Sequence, residues 1–277
     1  MFLFSVASYM KEILTNPKSG YYMSRDVFGQ QGDFITSPEI GQIFGELIAV
    51  WCITNFQKVG SPMPFQLVEL GPGRGTLIQD ALRVFTKFGF SEALSIHLVE
   101  LSPYLSKLQA QKLCYSFTEV SPQAKQPHYM MGETINGVKV FWYSQIEDVP
   151  KGFSIILAHE FFDALPIHKL QKDGDVWKEI LVDIDPEDIE KFRYVVSRHE
   201  TPISKLFSTL RPQETKSHVE ISPESDLIAS QIANRLEADG GFGLIMDYGH
   251  LGEKGDTFRV SFMKFLLKCT LGQKKIL

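Results

Sequence analysis

An acid followed by three alternating glycines, Glu69-Leu70-Gly71-Pro72-Gly73-Arg74-Gly75, constrains this chain more than any other stretch. Upstream, Leu67, Val68 and Leu70 form a short apolar run, the pattern of a parallel strand covered on both faces. Downstream, Leu77, Ala81, Val84, Phe85 and Phe88 recur at helical spacing. Strand, sharp turn and helix therefore follow one another between Phe65 and Phe88. The glycines let the backbone turn and let a ligand approach it without Cβ atoms in the way. Open α/β sheets bind ligands at the carboxyl ends of their strands, where this turn falls.

The spacing selects among ligands. A dinucleotide fingerprint needs Gly-x-Gly-x-x-Gly. Counted from Gly71 the third glycine falls on Thr76, and counted from Gly73 it falls on Ile78. No Gly-Lys-Ser/Thr follows, which argues against a nucleoside-triphosphate loop. Glu69 two places before Gly71, Gly73 and Gly75 resembles the first motif of the class I S-adenosylmethionine-dependent methyltransferases. That resemblance implies that the glycines admit the methionine part of the cofactor and that Glu69 lies near its ammonium end. An ordinary strand-to-helix turn is the plainer alternative.

A length of 277 residues suits one large domain or two small ones, and 44% hydrophobic residues can fill a sizeable core. Net charge is −5 with acids and bases mixed, so nothing resembles a nucleic-acid footprint. Cys52, Cys114 and Cys269 lie far apart, which fits a reducing compartment and no disulfide framework. Neither cysteines nor histidines show metal-ligand spacing, so no metal is expected. No apolar run approaches the ~18 residues of a membrane span. Met1 to Val6 lacks the basic region of a secretory signal and the arginines of a transit peptide.

Along the chain, residues 8–14 read as a short helix stopped by Asn16-Pro17-Lys18-Ser19-Gly20. Tyr21-Tyr22-Met23 is a short strand or an aromatic patch. Ser37 is expected to cap a helix with Pro38 at its first position. Its stripe Ile40, Ile43, Phe44, Leu47, Ile48, Trp51 and Cys52 is expected to be core. Helix N-termini favour anions, which makes Ser37 a candidate for the cofactor carboxylate. A second strand, Ser95 to Val99, ends in Glu100, an acid placed to hydrogen-bond a ribose diol. Ser102-Pro103 opens the next helix, and Val138 to Tyr143 is a third strand. Phe153 to Ala158 is a fourth, leading into His159-Glu160-Phe161-Phe162-Asp163-Ala164-Leu165-Pro166. Glu160 and Asp163, three apart, are expected to share a face of a helical turn and to do acid/base work or bind a cation. Helix capping is their alternative. Val176 to Ile184 and Phe192 to Val196 read as an antiparallel pair, Ser222 opens a helix ended by Gly240-Gly241, and Gly243 to Asp247 reads as a fifth buried strand. His250 reads as a loop residue.

Several of these stretches, from Tyr9-Met10-Lys11-Glu12 and Gly20-Tyr21-Tyr22 through Gly32 to Ile40, Glu69 to Gly75, His159 to Pro166 and Asp247 to His250, resemble the MidA-type methyltransferases. Within that family they resemble the mitochondrial arginine methyltransferases of complex I assembly. The resemblance implies a mostly parallel Rossmann-like sheet with helices on both faces and S-adenosyl-L-methionine as cofactor. It also implies symmetric dimethylation of an arginine on a complex I subunit in the mitochondrial matrix. The domains expected are a helical lid at 1–60, a methyltransferase domain at 61–259 with an antiparallel insertion at about 174–200, and a divergent tail at 260–277. The presequence is expected to be missing, and so are the last two strands of the class I sheet. That would expose a sheet edge and invite aggregation. Glu160 and Asp163 are the candidate catalytic pair, although they do not reproduce the paired-glutamate loop of better-known arginine methyltransferases. An inert assembly factor and a nucleotide-dependent oxidoreductase are the competing functions.

Overall fold

In the computed structural model, residues 3–29, 32–33, 35–249 and 257 are described. They divide into two compact units, Thr15–Ala164 with Leu227–Tyr248, and the remainder.

The larger unit is built on a seven-stranded sheet. Its strands are β2 (Phe65–Leu70), β3 (Leu94–Val99), β4 (Ser116–Glu119), β5 (Met130–Glu133), β6 (Lys139–Tyr143), β7 (Ser154–His159) and β12 (Gly241–Met246). They lie in the order β12-β7-β2-β3-β6-β5-β4. The five expected strands are all present and mutually parallel, with Glu69 level with Leu98 of β3 and Leu157 of β7. The fifth, β12, is not buried as expected: it lies at the sheet edge among the described residues, and its residues are half-buried or exposed. Strands β4 and β5 extend the sheet antiparallel beyond β6. The sequence did not announce them, because every residue of β4 is exposed and no apolar alternation marks it.

Helices cover both faces. On one lie α3 (Gln42–Lys58), α4 (Thr76–Lys87) and α5 (Pro103–Leu113), sharing a core with Phe65, Leu67, Ile96, Leu98, Ile155 and Leu157. On the other, Ile232 of α7 (Pro223–Asp239) joins Val68, Leu70, Ile156 and Ala158. Successive side chains of a strand point to opposite faces, and these two sets alternate accordingly.

The expected helix from Ser37 is corrected in two respects. It is two helices, α2 (Ser37–Ile40) and α3, separated by Gly41 in extended conformation. The expected core stripe is also largely outside: Ile40, Ile43 and Leu47 are 78%, 70% and 62% exposed. Of the stripe, Cys52 is buried and Phe44 and Ile48 pack against the core from its margin, and the buried line of α3 runs through Gly45, Ala49, Cys52, Ile53 and Phe56. Small residues form this seam because α4 comes close. A Cβ added at Gly45 would stand 2.6 Å from Cβ of Asp80. On α4, Phe88 lies just past the helix end and is exposed, while Leu77, Ala81, Val84 and Phe85 are buried.

The second unit is an antiparallel sheet. Its central strand, β9 (Val176–Ile184), pairs with β8 (His168–Asp173), with β10 (Phe192–Val196) and with the short β1 (Phe4–Ser5). Strand β11 (His218–Ile221) pairs with β8. Helix α1 (Val6–Thr15) buries Val6 and Met10 against Val182, and α6 (Pro202–Leu210) sets Phe207 edge-on to Trp177 at 5.0 Å. The antiparallel strands thus reach beyond 174–200, and the first residues of the chain share their unit. His250, Arg259 and the expected tail at 260–277 lie outside the described residues.

Candidate functional site

The carboxyl ends of β2 and β3 carry two buried acids. Glu69, 3% exposed, is the penultimate residue of β2, and its Oε2 has no hydrogen-bond partner among the described residues. Burial pushes its carboxyl up to about 8, with the neighbouring charge of Glu100 adding to the effect. Burial likewise pushes Glu100 up to about 7, opposed by hydrogen bonds from the Ser102 amide and the Gln109 side chain. A buried carboxylate oxygen without a partner is costly and calls for a cation or a donor.

Between the acids the chain makes its glycine turn. Gly71, Gly73 and Gly75 all take left-handed φ, at +61°, +53° and +74°. At Gly71 a side chain would also collide, since its Cβ would lie 2.8 Å from the Phe161 ring. Gly75 stands at the N-cap of α4, whose first-turn amides face the turn. An aromatic patch adjoins it. The Phe28 ring approaches Gly73 and stacks on Tyr22 at 6.0 Å, and the Ser102 hydroxyl donates to the Tyr22 carbonyl at 2.5 Å. Burial raises the Tyr22 phenol, and the charges of Asp163, Glu100 and Glu160 raise it further. Tyr22 therefore feels both sets of acids.

Ser37 does not play the expected capping role. The N-cap of α2 is Thr36, and no side-chain cap bond forms there. The residue that reaches the glycine turn is Glu39. Its carboxylate accepts from Arg74 Nη1 at 2.9 Å and from the Thr76 hydroxyl, while Arg74 Nε pairs with Asp26 at 3.0 Å. Pairs this far apart in sequence left no periodic signal.

A third group of acids gathers where β7 and β12 end. Glu160 has φ +48°, unusual for a residue with a side chain, and its N–H donates to the Met246 carbonyl at 2.8 Å. Asp163 opens no shared helical turn with Glu160, because the short 3-10 turn starts only at Phe162. Instead the Asp163 amide donates to Asp247 Oδ2 at 3.1 Å, and the Tyr248 hydroxyl donates to Asp163 Oδ2. Desolvation raises the Glu160 carboxyl, with the charges of Asp163 and Asp247 adding to it. Asp163 is raised first by desolvation and then by Asp247, and the Tyr248 hydrogen bond opposes the rise. Asp247 and Tyr248 belong with the expected pair. Their position at the tip of a fifth parallel strand was the signal. Among the described residues no group of histidine, cysteine and acids could hold a metal ion.

The family described as putative S-adenosyl-L-methionine-dependent methyltransferases matches residues 47–266. The chain belongs to this family. A Drosophila melanogaster protein named as the mitochondrial protein arginine methyltransferase NDUFAF7 homolog is 57% identical over 92% of this chain. The Homo sapiens mitochondrial protein arginine methyltransferase NDUFAF7 is 49% identical over the same share. The chain spans about three-fifths of the length of these curated relatives, 59% and 58%. Among solved structures, a COG1565 superfamily member from Burkholderia thailandensis bound to S-adenosyl-homocysteine superposes with a TM-score of 0.66. It covers 90% of this chain and 59% of its own, at 20% identity. The fold is thus the α/β class I methyltransferase fold, and no described helix is long and apolar enough to cross a membrane.

Proposed function

We propose that this chain binds S-adenosyl-L-methionine through its glycine turn and its two strand-end acids, and that it methylates arginine on a protein. One observation carries the reading: Glu69 Oε2, buried and without a partner among the described residues, beside a turn that a side chain would obstruct. A ligand with an ammonium group satisfies that oxygen, and a ribose diol suits Glu100. The bound cofactor supplies a methyl group made electrophilic by its sulfonium.

The chain's own acids would prepare the nucleophile. A guanidinium is protonated below a pKa of ~12 and is a poor nucleophile. Glu160 and Asp163 would receive it by charge-assisted, paired hydrogen bonds and direct one nitrogen towards the methyl. As the N–C bond forms and the S–C bond breaks, the sulfur keeps the bonding pair. The nitrogen then sheds a proton, and a carboxylate with a raised pKa suits its acceptance. Asp247 and Tyr248 would fix Asp163 for this task. The names of the relatives support arginine methylation in mitochondria. The finer reading, symmetric dimethylation of a complex I subunit in the matrix, rests on the sequence resemblance.

Transfer of labelled methyl from S-adenosylmethionine to an arginine peptide tests the proposal. Wild type is expected to transfer. The double variant Glu160→Gln, Asp163→Asn is expected to lose at least ~100-fold, the lower range for a general-base contribution. Equal rates would remove both acids from the chemistry.

A further inference from the structure

Gln109 on α5 is fully buried, and all its hydrogen-bonding groups have partners that converge on the cofactor seat. Its Oε1 accepts from the Trp142 indole at 2.8 Å. Its Nε2 donates to the Gly73 carbonyl at 2.7 Å and to Glu100 Oε2 at 3.0 Å. The indole can only donate, so it fixes which end of the amide is oxygen. Both N–H groups must then face the turn and the acid. The stem of the same side chain supports Gly75, whose added Cβ would lie 3.3 Å from Gln109 Cγ. The other oxygen of Glu100 accepts from the Ser102 amide at 2.8 Å, so the carboxylate is held at both ends.

We infer that Gln109 is a positioning residue of the cofactor site: one amide, oriented by Trp142, ties the glycine turn to the acid at the end of β3 and holds the two halves of the seat in register. The inference rests on the cofactor reading above. Helix filling alone would need only the stem. What distinguishes the positioning role is the effect on Glu100. The groups that face this acid are the Ser102 and Leu101 amides, the Gln109 amide, the Glu69 carboxyl and the Tyr22 phenol. The Tyr129 hydroxyl donates to its backbone carbonyl at 2.9 Å. The Gln109 hydrogen bond favours the ionised form, so its loss moves the Glu100 titration to higher pH.

The experiment compares the full chain with Gln109→Met, which keeps the stem and removes the amide, and Gln109→Leu, a second uncharged side chain without the amide. S-adenosylhomocysteine binding is measured by calorimetry across pH, and the Glu100 carboxyl is followed by carbon NMR in the free protein. Expected are a dissociation constant raised roughly 10- to 100-fold, as for loss of a hydrogen bond to a charged group, and a Glu100 midpoint shifted upward in each folded variant. Should Gln109→Met fail to fold, Gln109→Leu decides. Unchanged affinity and an unchanged Glu100 midpoint in a folded variant overturn the inference. If wild type itself ignores S-adenosylhomocysteine, the cofactor reading fails instead. The free-protein Glu100 titration then still decides whether Gln109 holds the acid.

Discussion

At the scale of single residues, Glu160 joins backbone strain to chemistry. Its φ of +48° is one that glycine adopts without penalty and that costs a side-chain-bearing residue on the order of 1 kcal/mol. Such strain persists where the surroundings dictate the backbone, and here the Glu160 amide is tied to the Met246 carbonyl. Gly in this place would relieve the conformation while removing a carboxylate that crowds Asp163 and Asp247. Gly also loosens the unfolded chain, which offsets part of the gain. The expectation for Glu160→Gly is a stability equal to wild type or up to ~1 kcal/mol higher by urea denaturation, with methyl transfer lost. A clear destabilisation would mean that the carboxylate makes stabilising contacts, and it would end the argument that the site is strained for function.

At the scale of elements, α3 shows which patterns can be read from a sequence and which cannot. Strand β7 was legible because burial on both faces demands an unbroken apolar run, here Ile155 to Ala158, whereas β3 and β6 were legible from apolar residues that alternate with polar ones. Glu69 and Glu100 were legible because they fall at the carboxyl ends of β2 and β3. The buried face of α3 was not, because large apolar residues nearly surround this helix and the packed seam consists of Gly45, Ala49 and Cys52. Closeness of approach, which only the partner helix sets, decided the face. Gln109 was illegible for a related reason: its partners Gly73 and Trp142 lie 36 and 33 positions away. The α3 seam makes opposed predictions. Helix propensity alone favours Gly45→Ala by ~1 kcal/mol. The Cβ would nonetheless meet Asp80 Cβ at 2.6 Å, so a net loss of roughly 1–3 kcal/mol is expected. Ile43→Lys, at a 70% exposed position, should change stability by less than ~0.5 kcal/mol. Chemical denaturation of both variants checks the pair, and the reverse ranking would restore the large apolar stripe as the core.

At the scale of the whole molecule, the buried acids of the cofactor seat link stability to pH. In the folded chain the Glu69 carboxyl is raised from 4.5 to about 8, and that of Glu100 from 4.5 to about 7. Between the unfolded and folded values the native state holds protons that the unfolded chain has released. Stability therefore falls as pH rises through that window. His97 works in the opposite sense: burial lowers it from 6.5 to about 3, so its contribution grows as pH rises towards 6.5 and is complete above it. The two effects oppose each other below pH 6.5, and the loss from the acids prevails between 6.5 and about 8. One proton per pH unit is worth ~1.4 kcal/mol, so the free chain should lose roughly 2 kcal/mol over that interval. Glu69→Gln has no proton to lose there and should lose well under half as much. An ammonium-bearing ligand stabilises ionised Glu69, so saturating S-adenosylhomocysteine should flatten the wild-type slope as well. Urea midpoints at pH 6.5 and 8 for both chains, with and without the ligand, measure all of this. Parallel slopes for wild type and Glu69→Gln would show that Glu69 is ionised in the free fold, and the partnerless oxygen would then no longer argue for a cationic guest.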